Sequence, residues 1–175
     1  MASHLTGPFI DIYASHELDD MTPVAALDAV IADVRSHPVD ASPGGFFTAL
    51  RHIDLLSHLA LRFAGDAHYY LDAAHETGSA WRPVAALTTA AVPLSRAQYH
   101  YAQAMVALAA LSRPNPGTSM AARLEGIEHH SVLRTHLHAA VQSLDEARSR
   151  LRPPSPARRA SPVAAPEQAA RHRAR

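Results

Sequence analysis

Thirteen histidines and no cysteine leave imidazole and carboxylate as the only strong metal ligands in this 175-residue chain. His68, Asp72 and His75 stand at i, i+4 and i+7, which puts all three on one stripe of a helix. Glu125, His129 and His136 form a second such group further along. If the two helices were neighbours, these ligands could converge as zinc or a di-iron centre requires. Neither stripe carries His-x-x-x-His, however, and no segment supplies the Glu-x-x-His of ferritin-like bundles. The expectation is therefore solvated histidines, with no metal or other cofactor.

A second chemistry is DNA readout. The segment 84–102, VAALTTAAVPLSRAQYHYA, resembles a helix-turn-helix: a short helix, a turn, a serine cap and a second helix that would present Arg96, Gln98, His100 and Gln103 to a major groove. Pro93-Leu94 lengthens the turn, Ala91 stands where the turn glycine belongs, and few arginines lie nearby to neutralise phosphates. A proline-punctuated helical hairpin is the preferred reading. The segment LLSHLA at 55–60 resembles the first metal-histidine helix of DinB-like four-helix bundles, with His58 in the ligand position. That resemblance implies a metal-dependent bundle enzyme, several of whose relatives serve thiol-dependent chemistry. The family's later helix carries two histidines four apart, whereas His129, His130, His136 and His138 do not supply that spacing. Nucleophilic and phosphate chemistry have no motif, since the chain has no Gly-x-Ser-x-Gly, no glycine-rich loop and no lysine.

The elements that would position these residues are helices. Thr22 is a natural N-cap and Pro23 suits the first helical position, opening an amphipathic helix with Val24, Leu27, Val30, Ile31 and Val34 on one face. Pro38 ends it near His37. A second, strongly apolar helix starts after the Ser42–Gly45 turn and carries Phe46, Leu50, Ile53, Leu56, Leu59 and Phe63, and Gly65 either bends or ends it. The stretch 80–112 contains Pro93, and Ser95 with Gln98 forms a capping box that predicts a restart of the helix at Ser95. After the Arg113–Gly117 loop a last helix opens at Thr118 and runs to Arg152, where Pro153-Pro154 stops it. In that helix Leu133, Leu137, Ala140, Leu144, Ala147 and Leu151 keep the 4-3-4 spacing of a helix-pairing seam, while Leu124 and Ile127 fall out of register near Gly126.

If Gly65 and Pro93 only bend their helices, three arms of roughly 30 residues, each about 45 Å long, fold up-down-up with the short helix 23–37 covering one side. The expected fold is thus an all-α antiparallel bundle of about four helices, bent near Gly65 and Pro93. Its domain covers 22–152, behind an N-terminal extension, 1–21, and ahead of a disordered tail, 153–175. The tail holds five arginines against Glu167, and the rest holds eleven arginines against fifteen acids, so a mildly acidic body carries a basic tail. No apolar run reaches a membrane span and the N-terminus lacks a signal pattern, so a cytoplasmic protein is expected. Taken whole, the chain resembles the small uncharacterised all-α proteins of high-G+C bacteria, a resemblance that brings no activity with it. The functional expectation is a non-enzymatic protein acting through a protein partner or as a homo-oligomer, paired along the Leu133, Leu137, Leu144, Leu151 seam, with nucleic acid a lesser alternative.

Overall fold

The computed structural model describes residues 14–77, 81–113 and 119–152. The first part of the N-terminal extension, residues 78–80, the loop at 114–118 and the arginine-rich tail lie outside the described residues. A 3-10 turn, Ser15–Asp20, leads into α1 (Pro23–Ser36), α2 (Pro43–Thr77), α3 (Trp81–Leu111) and α4 (Met120–Leu151). No strand occurs among the described residues.

Local chemistry accounts for the helix starts. The Thr22 hydroxyl accepts the Ala25 N–H at 3.3 Å with Pro23 behind it, and Ser119 caps α4 through the Ala122 N–H at 3.2 Å. α2 and α3 run unbroken through Gly65 and Pro93. Pro93 cannot donate to the Thr89 carbonyl, a defect of about 3 kcal/mol in an isolated helix. Here Leu87 and Ala90 before it and Leu94 and Ala97 after it are buried in one core, and that burial holds the two halves in one continuous helix. The capping box is accordingly corrected: Ser95 Oγ donates back to the Ala91 carbonyl at 3.0 Å, as a serine does inside a helix, and the Gln98 amide donates to Ser57 of α2 at 2.8 Å.

α3 packs against α2 and α4 along its length, and α1 packs against α2 and α4, while the diagonal pairs α2/α4 and α1/α3 do not pack. Cross-helix pairs fix antiparallel directions: Ser57 with Gln98 and His75 with Trp81 between α2 and α3, Arg96 with Glu146 and His100 with His136 between α3 and α4. Arg35–Asp145 at 2.8 Å and Arg148–Asp28 at 3.1 Å clip α1 to α4. The 3-10 turn is fastened to α2 by Arg62, which donates to the carbonyls of Leu18 and Met21. The core gathers Leu18, Leu27, Val30, Leu56, Leu59, Phe63, Leu94, Tyr101, Leu108 and Leu144, all essentially inaccessible to solvent. The result is an antiparallel four-helix bundle with a short first helix.

The seam of α4 is a second correction. Leu133, Leu144 and Leu151 are buried and Leu137 is half-buried within the chain's own core, so the stripe is spent inside the bundle and is not open to a partner. Leu124 and Ile127 leave its register because they face outward with Met120, and the first buried residue of α4 is Leu133.

Candidate functional site

Among the described residues, no three histidine or carboxylate side chains come together as metal ligands. His68 meets Asp72 at 3.7 Å on the open surface of α2, and His75 stacks edge-on against Trp81. His129 meets Glu125 at 3.5 Å on α4, which lies diagonally across the bundle from α2. His136 turns away to α3, where its Nδ1 lies 3.2 Å from His100 Nδ1. One ring of that pair must donate its N–H and the other accept, and burial, with His136 and Arg96 nearby, holds the pKa of His100 below its usual range. His58 binds Asp19 of the 3-10 turn at 2.7 Å, and that contact helps fix the turn on α2.

The DNA-reading arrangement is also corrected: residues 84–102 lie within one helix, so there is no turn to set a recognition helix at an angle to a first one. Arg96 is paired with Glu146 at 3.1 Å, Gln98 is bonded to Ser57, His100 is held by His136, and Gln103 is half-buried.

Sequence reasoning missed the most perturbed group of side chains. Arg51 grips Asp33 with two hydrogen bonds of 2.7 Å, and the Asp33 side chain is 0% exposed. His37 Nδ1 approaches the same carboxylate at 3.3 Å, and Nε2 of the buried His52 lies 3.6 Å from it. The His52 ring meets the buried Tyr101 ring edge-on at 5.2 Å, and neither His52 nitrogen has a hydrogen-bond partner. Burial, assisted by Arg51 and His37 and opposed by Asp33, lowers the His52 pKa from 6.5 to about 4. Burial and Asp33 raise that of Tyr101. Asp33 and His52 are closed to solvent, and the group clamps α1, α2 and α3 together. The only signal in the sequence was an Asp inside the apolar face of α1.

The clamp has a pH consequence. Between pH 6.5 and about 4 the unfolded chain protonates His52 and the folded chain does not, so its contribution is present above pH 6.5 and is lost as pH falls toward 4. The full loss is about 3 kcal/mol at 1.4 kcal/mol per unit. Urea unfolding at pH 7 and at pH 4.5 will show a larger fall in stability for the native protein than for His52→Leu. Equal falls would contradict the assignment.

The outer face of α3 is the surface that stands apart. In its 31 residues α3 carries only two charges, Arg82 and Arg96. Ala85, Thr88, Val92, Ser95, Tyr99, Ala102, Val106 and Ala109 are all exposed, follow a 3-4-3-4 spacing, and include no charge. A surface helix ordinarily turns charge outward at these positions. No family model, curated protein or solved structure matches the chain.

Proposed function

We propose that this is a non-catalytic helical protein that acts through protein contact, and that its contact surface is the outer face of α3 set antiparallel against the same face of a second copy. The observation that carries the reading is the uncharged heptad stripe, eight residues exposed in succession over about 36 Å. Its side-chain sizes support self-pairing. An antiparallel two-fold centred on residue 97 sets Val92 opposite Ala102, Tyr99 opposite Ser95, Val106 opposite Thr88 and Ala85 opposite Ala109. Val92 and Tyr99, nearest the axis, then each face a small side chain, while Val106 meets a threonine of its own size and the alanines close the ends, a pattern that permits close interdigitation. Arg96, which falls beside the two-fold axis, is already neutralised by Glu146. Isologous pairing of this kind closes on itself as a dimer.

The absence of cysteine makes the test clean. Under mild oxidation the double variant Ser95→Cys/Tyr99→Cys will form a covalent dimer, because each introduced thiol faces its counterpart across the two-fold. Arg134→Cys, on the outer face of α4, will stay largely monomeric. Equal cross-linking in both variants, or none in the first, would overturn the reading.

A further inference from the structure

We propose that the cleft between the start of α3 and the end of α4 binds an amphiphilic anion: a carboxylate, phosphate or sulfate carried on an apolar body. The cleft encloses about 580 Å³ and is lined by Arg82, Pro83, Ala85 and Ala86 of α3 and by Arg150, Leu151 and Arg152 at the end of α4. That volume lies within the range of small-molecule sites. Its floor is apolar, built from Pro83, Ala85, Ala86 and Leu151, and among the described residues its only charged groups are three guanidiniums.

Among the described residues no carboxylate lines the cleft, in a chain whose formal charges sum to zero. Glu146, the acid nearest in sequence to Arg150, is already shared between Arg150 and Arg96 at 3.1 Å each. Among the described residues Arg82 and Arg152 form no ion pair. Guanidinium takes a carboxylate or phosphate through paired hydrogen bonds, and an alanine and leucine floor gains by exchanging water for hydrocarbon. An anion without an apolar body would leave the floor wet, and a neutral apolar molecule would leave the arginines unused. The concave shape and short reach of the site also disfavour nucleic acid, which needs an extended row of cations.

Trp81, the chain's single tryptophan, precedes Arg82 at the start of α3, beside the cleft lining, and serves as the fluorescent probe. Decanoate titrated into the full-length protein will change Trp81 fluorescence saturably, while acetate and decanol at equal concentration will not. Arg82→Gln/Arg152→Gln will weaken decanoate binding about tenfold or more, and Ala86→Leu, which fills the floor, will abolish it with the helical circular dichroism retained. Co-sedimentation with phosphatidylglycerol vesicles separates the two sources of such a ligand. Either decanoate or vesicle binding that is lost in the double arginine variant supports the proposal and says whether the anion is free or membrane-borne. Equal response to decanol, binding unchanged by the arginine replacements, or no binding of either probe would overturn it. Ala85 belongs to both the cleft and the α3 stripe, but Val92 and Val106 lie outside the cleft, so a monomeric Val92→Arg/Val106→Arg variant retains this binding and the two proposals can fail separately.

Discussion

Arg51→Met is expected to lower the unfolding free energy by about 3–5 kcal/mol, because it strands the Asp33 carboxylate in a closed site. Few domains hold more than about 5–15 kcal/mol in total, so the variant will sit near the edge of folding. The loss belongs to the uncompensated charge more than to the pair itself, and this can be separated. Adding Asp33→Asn, which keeps the shape and removes the charge, will restore most of the lost stability, and a double-mutant cycle in urea at pH 7 measures the coupling. A loss below about 1 kcal/mol for Arg51→Met would mean that the pair behaves as an exposed one and that the clamp between α1 and α2 lies elsewhere.

Val92→Arg/Val106→Arg is expected to weaken self-association about a hundredfold or more while leaving the fold intact. Both valines are largely exposed in the single chain, at 61% and 67%, so the substitution costs the monomer about 0.5 kcal/mol at most. In the pair each arginine would have to enter a space shaped for valine against Ala102 or Thr88, and its charge would meet no acid on the facing helix, since α3 has none. Arg134→Ala on the outer face of α4 serves as the control and changes neither property. A lowered melting temperature without a change in association would instead assign the two valines to the bundle's own stability.

The fold was largely legible in the sequence, for identifiable reasons. Thr22-Pro23 and Pro38 bound α1 through backbone chemistry that acts within a turn or two, and matched arm lengths with short connections leave little but an antiparallel bundle. Pro93 and Ser95 were harder. Their local signals point to a helix start, and only burial on both sides of the proline keeps α3 continuous. The α4 seam shows the limit of periodicity. A repeat of leucine and alanine shows that a face is buried but not against what, and the chain's own core claims Leu133, Leu144 and Leu151.

The uncharged face of α3 was illegible for the complementary reason. Val92, Tyr99 and Val106 look like any apolar residues of a helix until the core positions Leu94, Tyr101 and Leu108 are placed, after which the remaining face is seen to lack charge. The clamp was hidden because Asp33, Arg51 and His52 are single letters in two apolar segments, and only the packing of α1 on α2 brings them together. The arginine-rimmed cleft joins residues about seventy positions apart, a distance over which no sequence motif speaks.

Sedimentation equilibrium over a wide range of loading concentration tests the central claim most directly. The native protein will pass from the 18.8 kDa of one chain toward twice that mass as concentration rises, and Val92→Arg/Val106→Arg will remain at the mass of one chain throughout. A native protein that stays monomeric at the highest loading, or a double variant that dimerises as readily as the native chain, would contradict the assignment of the α3 face.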